Sequence, residues 1–272
     1  MLDILTNPFI IRAIIAIILI AVVSSTMGSF TVFRGQTFMT AGVSHAALAG
    51  ASFGILIQMY YIPDFDPMIG AAIFAILMAL ATAYASKHGD PRKTDVMIGV
   101  SFGIAMGLAV LLISAIKEYA VRAWGLLMGD LLLLTEKDIL LLFITTVIVA
   151  FATVILYTKF VLVSFDPEGA EAHGIRTNLY NNILLILVAL SIIVVLKGVG
   201  ALLVYALMIG PGATANEIFN SVMSVMIAAF LIALIGGILG LIISFYVPVS
   251  PGAIAGILTT VIYFFVIPFS KK

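Results

Sequence analysis

Few side chains in this sequence can do chemistry, and the most informative is His45, in the run Thr40-Ala41-Gly42-Val43-Ser44-His45-Ala46. The run lies inside a long apolar stretch. With a helix starting near Gln36, a rise of about 1.5 Å per residue puts His45 roughly 14 Å along it. That is near the middle of a hydrocarbon core of about 30 Å. An ionisable side chain at that depth is a functional candidate by default, and imidazole is a good ligand for transition metals such as zinc. The residues leave a second reading equally open: a neutral histidine bonded to a carbonyl or to a hydroxyl such as that of Ser44. One histidine cannot complete a tetrahedral site. His88 and His173 both fall in polar loops and read as solvated.

The absences narrow the chemistry further. No cysteine is present, which excludes disulfides, thiolate metal sites and cysteine nucleophiles. No His-Glu-x-x-His, Gly-x-Ser-x-Gly or phosphate-binding loop occurs, so any use of ATP must belong to another chain. Ser44 and His45 are adjacent, and adjacent side chains on a helix point about 100° apart, which argues against a hydrolytic dyad.

A second feature is the polar stretch 164–176, Ser164-Phe165-Asp166-Pro167-Glu168-Gly169-Ala170-Glu171-Ala172-His173-Gly174-Ile175-Arg176. Asp166 can cap a short helix that has Pro167 at its first position and Glu168 near its positive end. Gly174 can terminate it. The expectation is a helix of about two turns between two apolar segments. A bare linker would not need such definite caps.

The elements that must position these residues follow from composition. Hydrophobic residues make up 63% of the chain and charged residues 10%, against roughly 45–50% and 25% in soluble domains. A soluble fold of 272 residues could not hide this much apolar surface, so lipid must be its solvent. Lys plus Arg balances Asp plus Glu at thirteen each, giving no sign of nucleic-acid binding. Asp3 precedes the first apolar run and Arg12 sits inside it, so that run reads as a retained helix and not a cleaved signal.

Nine candidate segments span about 8–33, 37–62, 67–86, 95–116, 138–158, 178–196, 199–215, 219–246 and 252–268. The seventh is Gly-rich and runs into Gly210-Pro211-Gly212, which suggests a broken or re-entrant helix. The stretch 123–134 is apolar but short, as suits an interfacial helix. The expected fold is therefore all-α: one polytopic domain over 1–272, with about eight or nine transmembrane helices and a short re-entrant or interfacial helix. With the N-terminus outside, eight basic residues fall inside and five outside, the bias expected of cytoplasmic loops. Three stripes of small residues recur at a spacing of four: Ala46, Gly50 and Gly54; Gly99, Gly103 and Gly107; Gly236 and Gly240. Packing within the chain is the expectation for them, with a dimer face or pore lining as the other reading.

Four stretches together resemble the membrane permeases of metal-type ATP-binding-cassette (ABC) importers, which carry zinc, manganese or iron. Gly28-Ser29-Phe30-Thr31-Val32-Phe33-Arg34 is similar to the family's Gly-x-Phe-x-Val-x-Arg. Ser44-His45-Ala46-Ala47-Leu48-Ala49-Gly50 is similar to Ser-His-Ala-x-Leu-x-Gly. Phe165-Asp166-Pro167-Glu168, followed by Ala170, Ala172 and Gly174-Ile175, is similar to Phe-Asp-Pro-Glu-x-Ala-x-x-x-Gly. The stretch 198–215, with Val199-Gly200-Ala201-Leu202-Leu203-Val204 and Pro211-Gly212-Ala213-Thr214-Ala215, resembles Val-Gly-x-Leu-Leu-Val…Pro-x-x-x-Ala. Each match alone is weak; their order and spacing agree along almost the whole chain.

The resemblance implies a multi-pass permease of the plasma membrane that is not an enzyme and holds no tight cofactor. Its substrate would be a divalent metal ion, zinc or manganese. Its partners would be a separate ATPase, an extracytoplasmic metal-binding protein and a second copy of itself, with no nucleic acid involved. Residues 164–176 would be the cytoplasmic coupling helix, carried by Phe165, Asp166, Pro167, Glu168, Ala170 and Gly174. His45 would line the metal path. One position departs: the family usually has Asp four residues before this histidine, and here it is Ala41. The competing class is an ion-coupled secondary carrier working without an ATPase. The poverty of intramembrane carboxylates disfavours it, because proton or sodium coupling usually relies on them. An intramembrane enzyme ranks below both for want of catalytic motifs.

Overall fold

The computed structural model describes residues 7–86, 91–116, 125, 127–129 and 131–270. Its elements are α1 (Pro8–Phe33), α2 (Thr37–Tyr60), α3 (Pro67–Ser86), α4 (Pro91–Ala115), α5 (Glu136–Phe165), the short α6 (Pro167–Ala172), α7 (Thr177–Val199), α8 (Val204–Ile218), α9 (Val222–Ser244) and α10 (Pro251–Val266). A 3₁₀ turn, Ile267–Phe269, extends α10. Eight of these helices are long and apolar enough to cross a bilayer. The fold is an all-α polytopic membrane protein.

The caps are local chemistry. Asn7 accepts the backbone N–H of Phe9 and Pro8 occupies the first turn of α1. Thr135 and Asp138 form a reciprocal capping box at the start of α5. Asp138 also meets Lys197, in the last turn of α7, at 3.0 Å. That pair fastens two helix ends on one face of the bundle. On the same face, Gly200, at φ +80°, ends α7, and the N–H of Leu202 donates to the Leu127 carbonyl.

The opposite face gathers Arg34 at the end of α1, Phe165 at the end of α5, α6, and Thr177 and Asn181 at the start of α7. Helix α8 begins beside the first face and ends at this second one, where the Ser270 hydroxyl donates to Glu217. Its 15 residues rise only about 22 Å. The unwound stretch from Gly200 to Leu203 makes up the rest of the passage, so the described residues pass between the two faces nine times, eight of them in helices long and apolar enough to span. The break expected at Gly210-Pro211-Gly212 does not occur: α8 runs unbroken through Pro211, and the unwound residues, 200–203, precede it.

One sequence boundary needs correction. Helix α5 continues to Phe165, seven residues past the expected end at 158. Lys159 looked like a terminus, but lysine is a good helix former and its long stem can carry the charge toward water. The expected interfacial helix at 123–134 lies partly outside the described residues; of those described, Gly125, Leu127 and Met128 are helical and Leu131–Leu133 forms a 3₁₀ turn. His88 lies outside the described residues.

The small-residue stripes divide. Gly50 of α2 lies against the backbone of Gly70 in α3, and Gly54 against Pro67. Gly236 and Gly240 of α9 face Thr259, Pro251 and Ala255 at the start and middle of α10. These are close helix–helix packings within the chain, as expected. The stripe of Gly99, Gly103 and Gly107 departs from that expectation: nothing stands within 4 Å of where their side chains would be. Helix α4 packs on α2 and α3 through its other side, which leaves this stripe facing outward.

Candidate functional site

His45 sits in the middle of α2, eight residues after its first residue, Thr37. Its Nδ1 is 2.9 Å from the Ala41 carbonyl oxygen. A carbonyl only accepts, so Nδ1 carries a proton, and in the neutral form of the ring the lone pair is on Nε2. The Ser44 hydroxyl donates to the same carbonyl at 2.9 Å. The bond to the carbonyl is the second of the two readings the sequence left open. It makes Nε2 the ring nitrogen that a ligand to His45 would use.

The imidazole meets the ring of Phe102 in α4 edge-to-face, centroids 5.0 Å apart. Gly42 keeps the adjacent turn of α2 thin against Met78 and Phe102. Phe102 lies on the same helix as the outward stripe Gly99-Gly103-Gly107, so His45 borders the open side of the chain. Among the described residues no group of three His, Asp or Glu side chains converges here or elsewhere.

The second site is built around α6. Asp166 accepts the N–H of Gly169 at 2.9 Å, and Pro167 starts the helix. At the other end Gly174 has φ +76°. Its N–H donates to the Glu171 carbonyl at 2.9 Å, and that of Ile175 to Ala170 at 3.0 Å. This double closure is the Schellman motif, which needs a left-handed residue at that place. His173, expected to be merely solvated, donates from Nδ1 to the Gly169 carbonyl at 2.7 Å and completes the cap. Glu168 is exposed, whereas Ala170 is buried and seats the helix on the bundle. Phe165 stacks on Phe33 at 5.4 Å between centroids.

Arg34 reaches from the end of α1 to donate through Nη2 to the Asn181 side-chain oxygen of α7. Burial lowers its pKa to about 10, so it is still a cation at neutral pH. A cavity of about 480 Å³ opens between Arg34, Ser164, Glu171 and Asn181.

These sites sit on the framework of a known family. Residues 6–270 match the model of the ABC 3 transport family. The chain belongs to that family. The manganese transport system membrane protein MntC of Listeria monocytogenes is 30% identical over 264 residues, covering 97% of this chain and 91% of that protein. The manganese import system permease protein ScaB of Streptococcus parasanguinis is 29% identical, covering 97% and 92%. Among solved structures, PsaBC from Streptococcus pneumoniae in complex with Fab superposes with a TM-score of 0.85 at 25% identity, covering 98% of this chain and 94% of that one. An ABC 3 permease is a multi-pass plasma-membrane component and not an enzyme. ATP hydrolysis and substrate capture fall to partner chains.

The ABC 3 motifs now have physical reasons. Gly28 lies in a π-helical turn, Ser24–Gly28, of α1. Any side chain there would strike the Met208 carbonyl of α8, and Gly212, one turn on, lies against the Ser29 backbone, 3.2 Å from where its side chain would be. Phe30 is fully buried and packs edge-to-face on Phe160 of α5 at 5.8 Å. The first motif therefore seats α1 against α8 and α5, and its Arg34 ends at the α6 site. The structure places His45 inside α2 and the α6 residues at the bundle's second face, so it does not bring the two together. Asn181, Glu171 and Phe102 were missed by the sequence reading. Asn181 could have been found as an amide opening an apolar span. Glu171 and Phe102 carried no signal of their own.

Proposed function

We propose that this chain is the permease of an importer for a divalent transition metal, with the N-terminus outside and α6 on the cytoplasmic face. Two copies pack about a two-fold axis, and their His45 side chains line the path. The observation that carries this is the Nδ1–Ala41 bond, which in the neutral ring leaves the Nε2 lone pair free on a residue well inside a spanning helix. Manganese in the names of MntC and ScaB supports the substrate class.

One imidazole per chain is too few for a metal site, and a two-fold axis supplies the second. Two neutral nitrogens, completed by water or carbonyls, bind weakly. Weak binding suits a path, because a closed four-ligand cage would retain the ion. Ala41 removes the family's hard oxygen ligand, so the pair favours softer zinc over manganese. The outward stripe of α4 beside Phe102 supports a pairing surface near His45.

Helix α6 is read as the coupling helix. Its caps make it a rigid lever, and its exposed first turn, with Glu168, is the part a separate ATPase would clasp. The test is reconstitution of the chain with its ATPase in vesicles, measuring ATP-dependent uptake of zinc and manganese separately. Uptake of neither metal would reject the reading. Uptake without ATP would favour a self-sufficient carrier.

A further inference from the structure

Among the described residues, the lining of the cavity beside α6 holds one cation and one carboxylate, with no ion pair between them. Arg34 spends Nη2 on Asn181, but its Nη1 is shut off from solvent without a hydrogen-bond partner. Ser164 Oγ, lining the same cavity, is equally without one. The acidic residue of the lining is Glu171, on α6, and it accepts a hydrogen bond from the Thr177 hydroxyl. A buried guanidinium with unused N–H groups is costly, and a carboxylate that reached it would relieve that cost. A free anion could do so too, but Glu171 already occupies the cavity wall and would repel it.

We propose that Glu171 leaves Thr177 and pairs with Arg34 during the transport cycle, making the two positioning residues that tie α6 to the first transmembrane helix. Glu171 is exposed at the cavity mouth. A partner docking on α6 covers that mouth, excludes water and strengthens the attraction. The connection then runs on without a gap. Arg34 is the cap of the helix that carries Gly28, and Gly28 touches the α8 backbone at Met208. A displacement of α6 thus reaches the contact between α1 and α8. The stack of Phe33 on Phe165 holds the two helix ends together throughout.

This inference rests on reading α6 as the coupling helix, and the experiment separates the two. In vesicles holding permease and ATPase, ATP hydrolysis and metal uptake are measured together for Arg34→Glu, Glu171→Arg, the double exchange, and Gly174→Val. Each single reversal should lower metal moved per ATP about ten-fold, and the double exchange should restore at least a third of it. If Gly174→Val uncouples but the exchange restores nothing, the pair is wrong and the coupling helix stands. If Gly174→Val also leaves the ratio untouched, the coupling reading itself has failed. The chain has no cysteine, so Arg34→Cys with Glu171→Cys offers a readout independent of activity. Cross-linking should rise when the ATPase binds nucleotide, and a yield indifferent to nucleotide overturns the exchange of partners. A melting temperature raised by inorganic phosphate in the wild type but not in Arg34→Gln would assign the cavity to a free anion and also overturn the pairing.

Discussion

The imidazole of His45 donates to the backbone carbonyl of Ala41, one turn earlier on the same helix, at 2.9 Å. In the neutral ring that bond selects the tautomer with its lone pair on Nε2, the nitrogen that the proposed metal path would use. His45→Ala removes the ligand and keeps the helix, because alanine is the best helix former. Uptake of zinc should fall by at least ~10-fold, the scale on which metal-site residues act, with expression and assembly unchanged. Uptake of both metals at wild-type rates would make His45 a packing residue.

Ala41→Asp tests selectivity at the same place. A carboxylate one turn before the histidine shares its helix face and adds a hard oxygen donor. Manganese uptake should rise relative to zinc by several-fold, read as the ratio of the two initial rates in one preparation. A ratio that stays put would mean the path does not discriminate here.

Gly28 predicts a stability effect at a distance from both sites. A valine there would push into the Met208 carbonyl, and backbone cannot swing aside as a side chain can. Overpacking of this kind costs about 1–3 kcal/mol, so the detergent-solubilised protein should melt measurably lower. Gly103→Val, on the open stripe of α4, should leave the melting temperature of the monomer unchanged. Any loss of function in that second variant would then report on pairing between copies.

The fold was legible because the bilayer imposes one length scale on apolar segments. Caps such as Asp166, Pro167 and Gly174 were legible because each satisfies its own helix end. Lys159 misled because a charge inside a long helix looks like the end of one. The Arg34–Asn181 bond joins positions 147 residues apart, and the pairing of Phe102 with His45 joins two different helices. No local spacing encodes contacts of that kind. Gly28 was recognised only as a motif letter, since its reason, the approach of α8, exists only in three dimensions.

Topology can be checked with single cysteines in a chain that has none. Tyr61, in the turn after α2, and His173, at the end of α6, are both well exposed and lie on opposite faces. An impermeant thiol reagent applied to intact cells should label Tyr61→Cys and spare His173→Cys until the cells are opened. The reverse pattern would invert the molecule and move α6 out of reach of any cytoplasmic ATPase.

The sharpest test of coupling is Gly174. Its φ of +76° is required by the two hydrogen bonds that close α6. No neighbouring atom stands within 4 Å of a side chain there, so any effect of substitution is conformational and not a clash. A β-branched residue held left-handed costs about 1–3 kcal/mol, comparable with the stability of a two-turn helix end. Gly174→Val should therefore unwind the end of α6 while the transmembrane bundle stays intact. ATP hydrolysis should continue while uptake falls. Gly174→Asn, which tolerates the left-handed region far better, should retain most of the transport. Equal transport by both variants, in complexes that still assemble, would show that the rigidity of α6 is not what transmits the stroke.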